Sequence, residues 1–109
     1  MIHKAFVKVN DKPVARVTFT LPNNLQADTL YLVGDFNEWN GTATPFVRDL
    51  EGIWSITVDL RLGRAFQFRY LRNGQEWIND DEADAYVYNP FGTNNFVVVT
   101  DPNFKPHDE

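Results

Sequence analysis

The sequence predicts an all-β fold, a two-sheet antiparallel β-sandwich of immunoglobulin-like type with about seven short strands. Three observations carry this. Apolar and polar residues alternate along most of the chain, which is the signature of a strand with one buried face, and no stretch holds a helical apolar period for long. Turn residues break the alternation at short intervals. The length, 109 residues, suits one core and leaves no room for a second.

Taken in order, Phe6 to Val9 is a candidate edge strand. Val14 to Leu21 (VARVTFTL) sets Val17, Phe19 and Leu21 on one face and Arg16, Thr18 and Thr20 on the other. Thr29 to Phe36 (TLYLVGDF) is a second, more evenly apolar strand. Ile53 to Leu60 (IWSITVDL) turns Trp54, Ile56, Val58 and Leu60 inward and Ser55, Thr57 and Asp59 outward. Ala65 to Arg72 (AFQFRYLR) repeats the pattern, with Phe66, Phe68 and Tyr70 facing the core and Gln67, Arg69 and Leu71 opposite. Asn73-Gly74 then signals a tight hairpin, because both residues tolerate the positive φ such a turn requires, and a short return strand around Trp77 follows. Phe96 to Thr100 closes the set. We therefore expect one domain over residues 1–100 and a polar, proline-containing tail over 101–109.

Composition narrows the function. Ten Lys and Arg against fifteen Asp and Glu give a formal charge of −5, so nothing here draws in a phosphate backbone, and nucleic acid is not an expected partner. No apolar run approaches the ~18 residues of a membrane span, so no membrane partner is expected either. The absence of cysteine removes disulfides, thiolate nucleophiles and cysteine metal sites together. With no signal-like N-terminal stretch, the expectation is a cytoplasmic protein. The Asn40-Gly41-Thr42 sequon reads as a turn.

Catalytic chemistry has little to work with. Ser55 is the only serine and sits mid-strand, while the only histidines, His3 and His107, lie near the two ends. A nucleophile with an adjacent base is therefore not expected, and neither is a histidine-based zinc site. Asn79 to Asp84 (NDDEAD) could suggest a carboxylate pair or a calcium site. A glycosidase, however, needs one carboxyl in a pocket that raises its pKa. The run is expected to be a solvated loop. No cofactor is expected.

Aromatic content is the unusual number: three Trp, four Tyr and nine Phe make up 15% of the chain. Trp54 alternates with aliphatic residues and is expected in the core. Trp39 lies in a polar turn, Asp35 to Gly41, and Trp77 lies between Glu76 and Ile78 beyond the hairpin. Exposed rings in such surroundings usually mark binding, either of carbohydrate, whose pyranose rings offer a flat apolar C–H face, or of protein; the remaining reading is of partly buried loop rings.

The string Val33-Gly34-Asp35-Phe36-Asn37-Glu38-Trp39 resembles the G-x-F-N-x-W signature of carbohydrate-binding module family 48. Gln67 to Gly74 resembles that family's Y-K-F-x-V-D-G strand and turn, Trp77 with Asn79-Asp80 its W-x-x-D-P segment, and Asn89 to Asn95 its closing D-x-x-G-x-x-N segment. The four pieces keep the family's order over Val14 to Thr100. The resemblance implies an early-set immunoglobulin-like sandwich and non-catalytic binding of α-1,4-linked glucan, as in the glycogen-binding domain of the AMP-activated protein kinase β subunit and in modules preceding branching enzymes and isoamylases.

By that resemblance Trp39 and Trp77 are the stacking rings. Arg69 stands where a Lys bonds sugar hydroxyls, a change that keeps the charge and alters the donor geometry. Phe91 stands where an apolar residue meets the glucan ring, and Asn94 or Asn95 where an Asn bonds hydroxyls. Two departures stand out: Glu76 is an extra residue between turn and tryptophan, and the closing segment is one residue shorter before its Asn pair. No catalytic barrel is expected in a chain of this length. The rival expectation is a sandwich that docks onto a protein partner or enzyme subunit and binds no sugar.

Overall fold

The computed structural model describes residues 1–78, 82–88 and 94–104. It is an all-β sandwich of two antiparallel sheets, as the alternation predicts. The strands are β1 (Ile2–Val9), β2 (Lys12–Leu21), β3 (Leu30–Gly34), β4 (Val47–Arg48), β5 (Trp54–Leu60), β6 (Ala65–Arg72), β7 (Glu76–Ile78), β8 (Ala85–Tyr88) and β9 (Asn94–Val99). One sheet runs β1-β2-β5-β4 and the other β3-β6-β9-β8. The short β7 pairs with the far half of β6, beyond the stretch that β9 occupies.

Several boundaries differ from the sequence reading. The first strand begins at Ile2 rather than Phe6 and pairs with β2 along its whole length. The turn between them is Asn10-Asp11, with φ of 52° and 67°. Asn and Asp tolerate this left-handed region better than other non-glycine residues, so the signal was present without a glycine. β3 stops at Gly34 because a 3-10 turn, Asp35–Asn37, takes over. The strands β4 and β8 were not anticipated; one is two residues long, and the other, Ala-Tyr-Val-Tyr, is exposed along its length.

The core explains most of the aromatic excess. Phe19, Phe68 and Tyr70 are fully buried, and Phe46, Trp54 and Phe96 nearly so. Phe19 meets Phe68 edge-on with ring centroids 5.1 Å apart, Phe68 meets Phe96 at 5.9 Å, and Phe46 meets Tyr70 at 5.5 Å. Such tilted pairs add ~0.5–1.5 kcal/mol each beyond the area they bury. Trp54 is 5% exposed, so its place in the core is as the alternation predicts.

The two sides of the sandwich close differently. On one, the chain crosses from sheet to sheet through residues 43–46, where the Leu32 N–H donates to the Thr44 carbonyl and the Phe46 N–H to the Leu30 carbonyl. On the other, Lys4 of β1 reaches Asp84 at the start of β8, Nζ to Oδ2 at 2.6 Å, and the same oxygen accepts the Val99 N–H at 2.7 Å. These two side chains are only 19% and 13% exposed. Asp84 is thus a half-buried structural anchor, which corrects the reading of the whole acidic run as solvated loop. Asn79, Asp80 and Asp81 lie outside the described residues, as does His107. Among the described residues no cluster of His, Asp and Glu could hold a metal ion, and no helix is long and apolar enough to cross a membrane.

Candidate functional site

Because side chains alternate across a strand, the residues of β6 that do not enter the core share the outer face of their sheet. These are Gln67, Arg69 and Leu71. Register extends the face sideways. Trp77 of β7 lies directly opposite Leu71, and Tyr31 of β3 opposes Leu71 from the other side. Val97 lies opposite Gln67, which puts Asn95, two residues earlier on β9, on the same face. Asn95 Nδ2 donates to Gln67 Oε1 at 3.0 Å.

The hairpin that presents Trp77 is fixed by its turn. Asn73 and Gly74 have φ of 54° and 69°, both left-handed, as the Asn-Gly signal requires. The Gln75 N–H closes the turn onto the Arg72 carbonyl at 3.1 Å. Asn73 Oδ1 accepts the backbone N–H groups of Asp28 and Thr29 at 2.7 and 3.2 Å, tying the turn to the loop before β3. The loop is three residues long, so Gln75 takes up the extra position and Glu76 pairs opposite Arg72. Their side chains form an ion pair at 2.6 Å. Trp77 then falls opposite Leu71 and on the outer face, so the insertion does not turn the ring into the core.

Trp77 is 43% exposed, and the Arg69 guanidinium lies over its ring at 5.2 Å from the centroid. A cation over an indole is attracted by the ring quadrupole, and the contact limits the motion of both side chains. Burial holds the Arg69 guanidinium somewhat below its usual pKa, and it stays charged at any physiological pH.

Trp39 arrives from the other end of the face. Gly34 ends β3 where a Cβ would stand 2.6 Å from the Gln67 carbonyl oxygen, so only glycine fits against β6 there. Phe36 then turns inward, its ring 6.5 Å from Phe19 and 6.0 Å from Phe66. Asn37 holds the turn: its Oδ1 accepts the Gly34 N–H at 3.0 Å, and its Nδ2 donates to the Leu32 carbonyl and to Thr44 Oγ1. Glu38 and Trp39 both follow with φ of 57°. Two left-handed residues with side chains cost on the order of 1 kcal/mol each and persist only where the surroundings hold them.

Here the Trp39 N–H donates to the Gly34 carbonyl at 2.9 Å, and the indole N–H donates to Asp35 Oδ1 at 2.9 Å. The ring is 37% exposed. The segment beyond it folds over the sheet, since a Cβ on Gly41 would touch the Leu71 side chain at 3.2 Å. Val33 is buried despite its outward position opposite Arg69. Trp39's segment and Trp77's strand thus meet on Leu71.

Of the residues expected at the site, Trp77, Arg69 and Asn95 share the outer face, and Trp39 stands on the turn at its margin. Asn94 lies in β9 opposite Tyr88, its side chain outside what is described, and Phe91 lies outside the described residues altogether. Sequence reasoning passed over Asp35 and Gln67. Asp35 carried no signal of its own, since an exposed indole N–H can donate to water; Gln67 had only its outward parity.

The carbohydrate-binding module 48 family model, described as the isoamylase N-terminal domain, matches residues 13–103. Among curated proteins, the 1,4-alpha-glucan branching enzyme GlgB of Aquifex aeolicus (strain VF5) is 31% identical over 84 residues, 75% of this chain and 12% of the enzyme. The 1,4-alpha-glucan-branching enzyme of Dictyostelium discoideum is 56% identical over 32 residues, 29% of this chain and 5% of that protein. The matches thus cover an eighth or less of each relative's length. With the family model spanning nearly all of β2 to β9 and the signature residues folded into one turn, the chain belongs to carbohydrate-binding module family 48.

Proposed function

We propose that this domain binds α-1,4-linked glucan, of starch or glycogen type, on the outer face of the β3-β6-β9-β8 sheet and performs no chemistry on it. The observation that supports the reading is a half-exposed Trp77 beside Arg69 and an Asn95–Gln67 amide pair on that face, with Trp39 on a turn that Asp35 ties to β6. Trp39 and Trp77 stack on pyranose rings. Arg69 and Asn95, with Asn94 as its neighbour, bond hydroxyls, and Phe91 supplies a further apolar contact. The binding unit is residues 1–100, with 101–109 as a tail whose Phe104 ring lies under the Lys4 ammonium at 5.1 Å. A cysteine-free chain suits the reducing cytoplasm, where we place it.

The affinity should be modest. Each tryptophan withdraws ~80 Å² of apolar surface, giving ~2 kcal/mol at ~25 cal/mol/Å². Each hydrogen bond adds ~1 kcal/mol net, against association costs of at least several kcal/mol. Dissociation constants of roughly 10 μM to 1 mM follow for short oligosaccharides, with avidity on a polymer. Electrophoresis through gels with and without amylopectin tests the proposal. Retardation by amylopectin and binding of β-cyclodextrin, with little affinity for cellulose, is expected, and equal retention on cellulose would refute an α-glucan preference.

A second reading, a docking module without a sugar site, is favoured by one observation. Tyr86, Val87 and Tyr88 on the edge strand β8 are 50%, 40% and 74% exposed, and edge strands with apolar side chains readily accept partners. Failure to bind any glucan would favour it.

A further inference from the structure

One carboxylate joins the two halves of the face. Asp35 opens the 3-10 turn, and its two oxygens serve different elements: Oδ1 accepts the Trp39 indole N–H at 2.9 Å, and Oδ2 accepts the backbone N–H of Gln67 at 2.7 Å. Gly34, the last residue of β3, lies opposite Phe68. The ladder therefore ends one residue short of Gln67, and the Asp35 side chain supplies the acceptor that β3 no longer can. Arg69 lies two residues farther along β6 and faces the same way as the Gln67 side chain. Asp35 thus fixes the Trp39 ring to the strand that carries the cation.

Packing alone does not fix that ring. Trp39 is 37% exposed and follows another left-handed residue, so a polar tether on its indole nitrogen adds a restraint that the covered part of the ring does not supply. A side chain that must be ordered by its ligand weakens binding, and one already ordered does not. An ionised acceptor on the indole nitrogen also pushes electron density into the ring, which strengthens its attraction for the partly positive C–H groups of a sugar.

We propose that Asp35 is a positioning residue for carbohydrate binding: through the indole N–H it holds Trp39 in its stacking orientation in the ligand-free protein, without itself touching the sugar. This rests on the glucan-binding reading above. The test compares Asp35→Ala, Asp35→Asn, Trp39→Phe and the double variant Asp35→Ala/Trp39→Phe in β-cyclodextrin titrations. In parallel, the Trp39 indole N–H resonance is followed in ligand-free protein labelled with ¹⁵N-tryptophan.

Asp35→Ala should weaken binding roughly threefold to tenfold, the cost of ordering one side chain, and Trp39→Phe should weaken it further, because the smaller ring also gives up stacking area. The double variant should bind no worse than Trp39→Phe, because a ring without an N–H has nothing for Asp35 to hold. Asp35→Asn, which offers one neutral acceptor, should fall between wild type and Asp35→Ala. The indole resonance should move upfield in both Asp35 variants. If Asp35→Ala proves too unstable to titrate, Trp39→Phe and Asp35→Asn keep the test alive, since Trp39→Phe leaves the Gln67 bond intact. Losses that multiply in the double variant, or an unmoved indole resonance, would overturn the role of Asp35. Wild-type protein that binds no glucan would overturn the glucan reading and this role with it, and that result is distinguishable because it appears before any substitution is made.

Discussion

Removing the Trp77 ring tests the proposed face most directly. A whole indole side chain presents up to ~250 Å², so 43% exposure leaves ~110 Å² open to a ligand. With Arg69 over one side of the ring, a pyranose covers ~80 Å² of what remains, worth ~2 kcal/mol, or about thirtyfold in affinity. Trp77→Ala should lose that factor in β-cyclodextrin titrations. Its folding cost should be small, because the substitution gives up a partly exposed cation–π contact of ~0.5–1 kcal/mol and no core packing. Urea melts on the same preparations measure that second quantity. A Trp77→Ala protein that binds as tightly as wild type would show that sugar does not use this ring. One that unfolds with a loss above ~3 kcal/mol would show that the ring is packed, against the outer-face geometry.

Three further outcomes follow from the packing. Trp54→Ala should cost ~3–5 kcal/mol in urea melts, since it empties a core site and removes the indole bond to the Leu25 carbonyl, while folded protein keeps its glucan affinity. Gly34→Ala should destabilise by ~1–3 kcal/mol and weaken glucan binding too, because its Cβ would press on the Gln67 carbonyl at 2.6 Å and displace β3 from β6. Asp84→Ala should cost about 2–3 kcal/mol by stranding a half-buried Lys4, and adding Lys4→Met should recover part of the loss, which melts of both variants would reveal.

The long strands were legible because each buries one face, and alternation then has no competing explanation. Val17, Phe19 and Leu21 on β2, and Phe66, Phe68 and Tyr70 on β6, read correctly for that reason. Strand ends and edges were not. β8 buries neither face, so Ala-Tyr-Val-Tyr has no alternation to betray it, and the two residues of β4 are too few to show a period. Asp84 misled because its acidic neighbours are typical of loops; what buries it is Lys4, 80 residues away, a pairing no local pattern contains. At the site, the outward parity of Arg69 was readable within β6. That Trp77 shares its face depended on a three-residue loop absorbing Gln75, which is a matter of register across the hairpin.

The six residues from Gly34 to Trp39 divide their labour unevenly, and this bears on what their signature means. Gly34 permits the close approach to β6, Phe36 anchors the turn in the core, and Asn37 satisfies three backbone and side-chain groups around it. Glu38 supplies the left-handed step, and Asp35 supplies the acceptor for the Gln67 N–H of β6 as well as for the ring. Only Trp39 offers a large apolar surface to solvent. Five of the six therefore have structural reasons to be where they are, and a chain could keep them for the sake of the β3–β6 junction after losing its ligand. The signature is strong grounds for the fold and weak grounds for binding. What favours a working site here is the part that the fold does not need: a Trp39 ring held at the surface on a strained backbone, and a second ring, Trp77, left half open beneath a cation on the same face of the sheet.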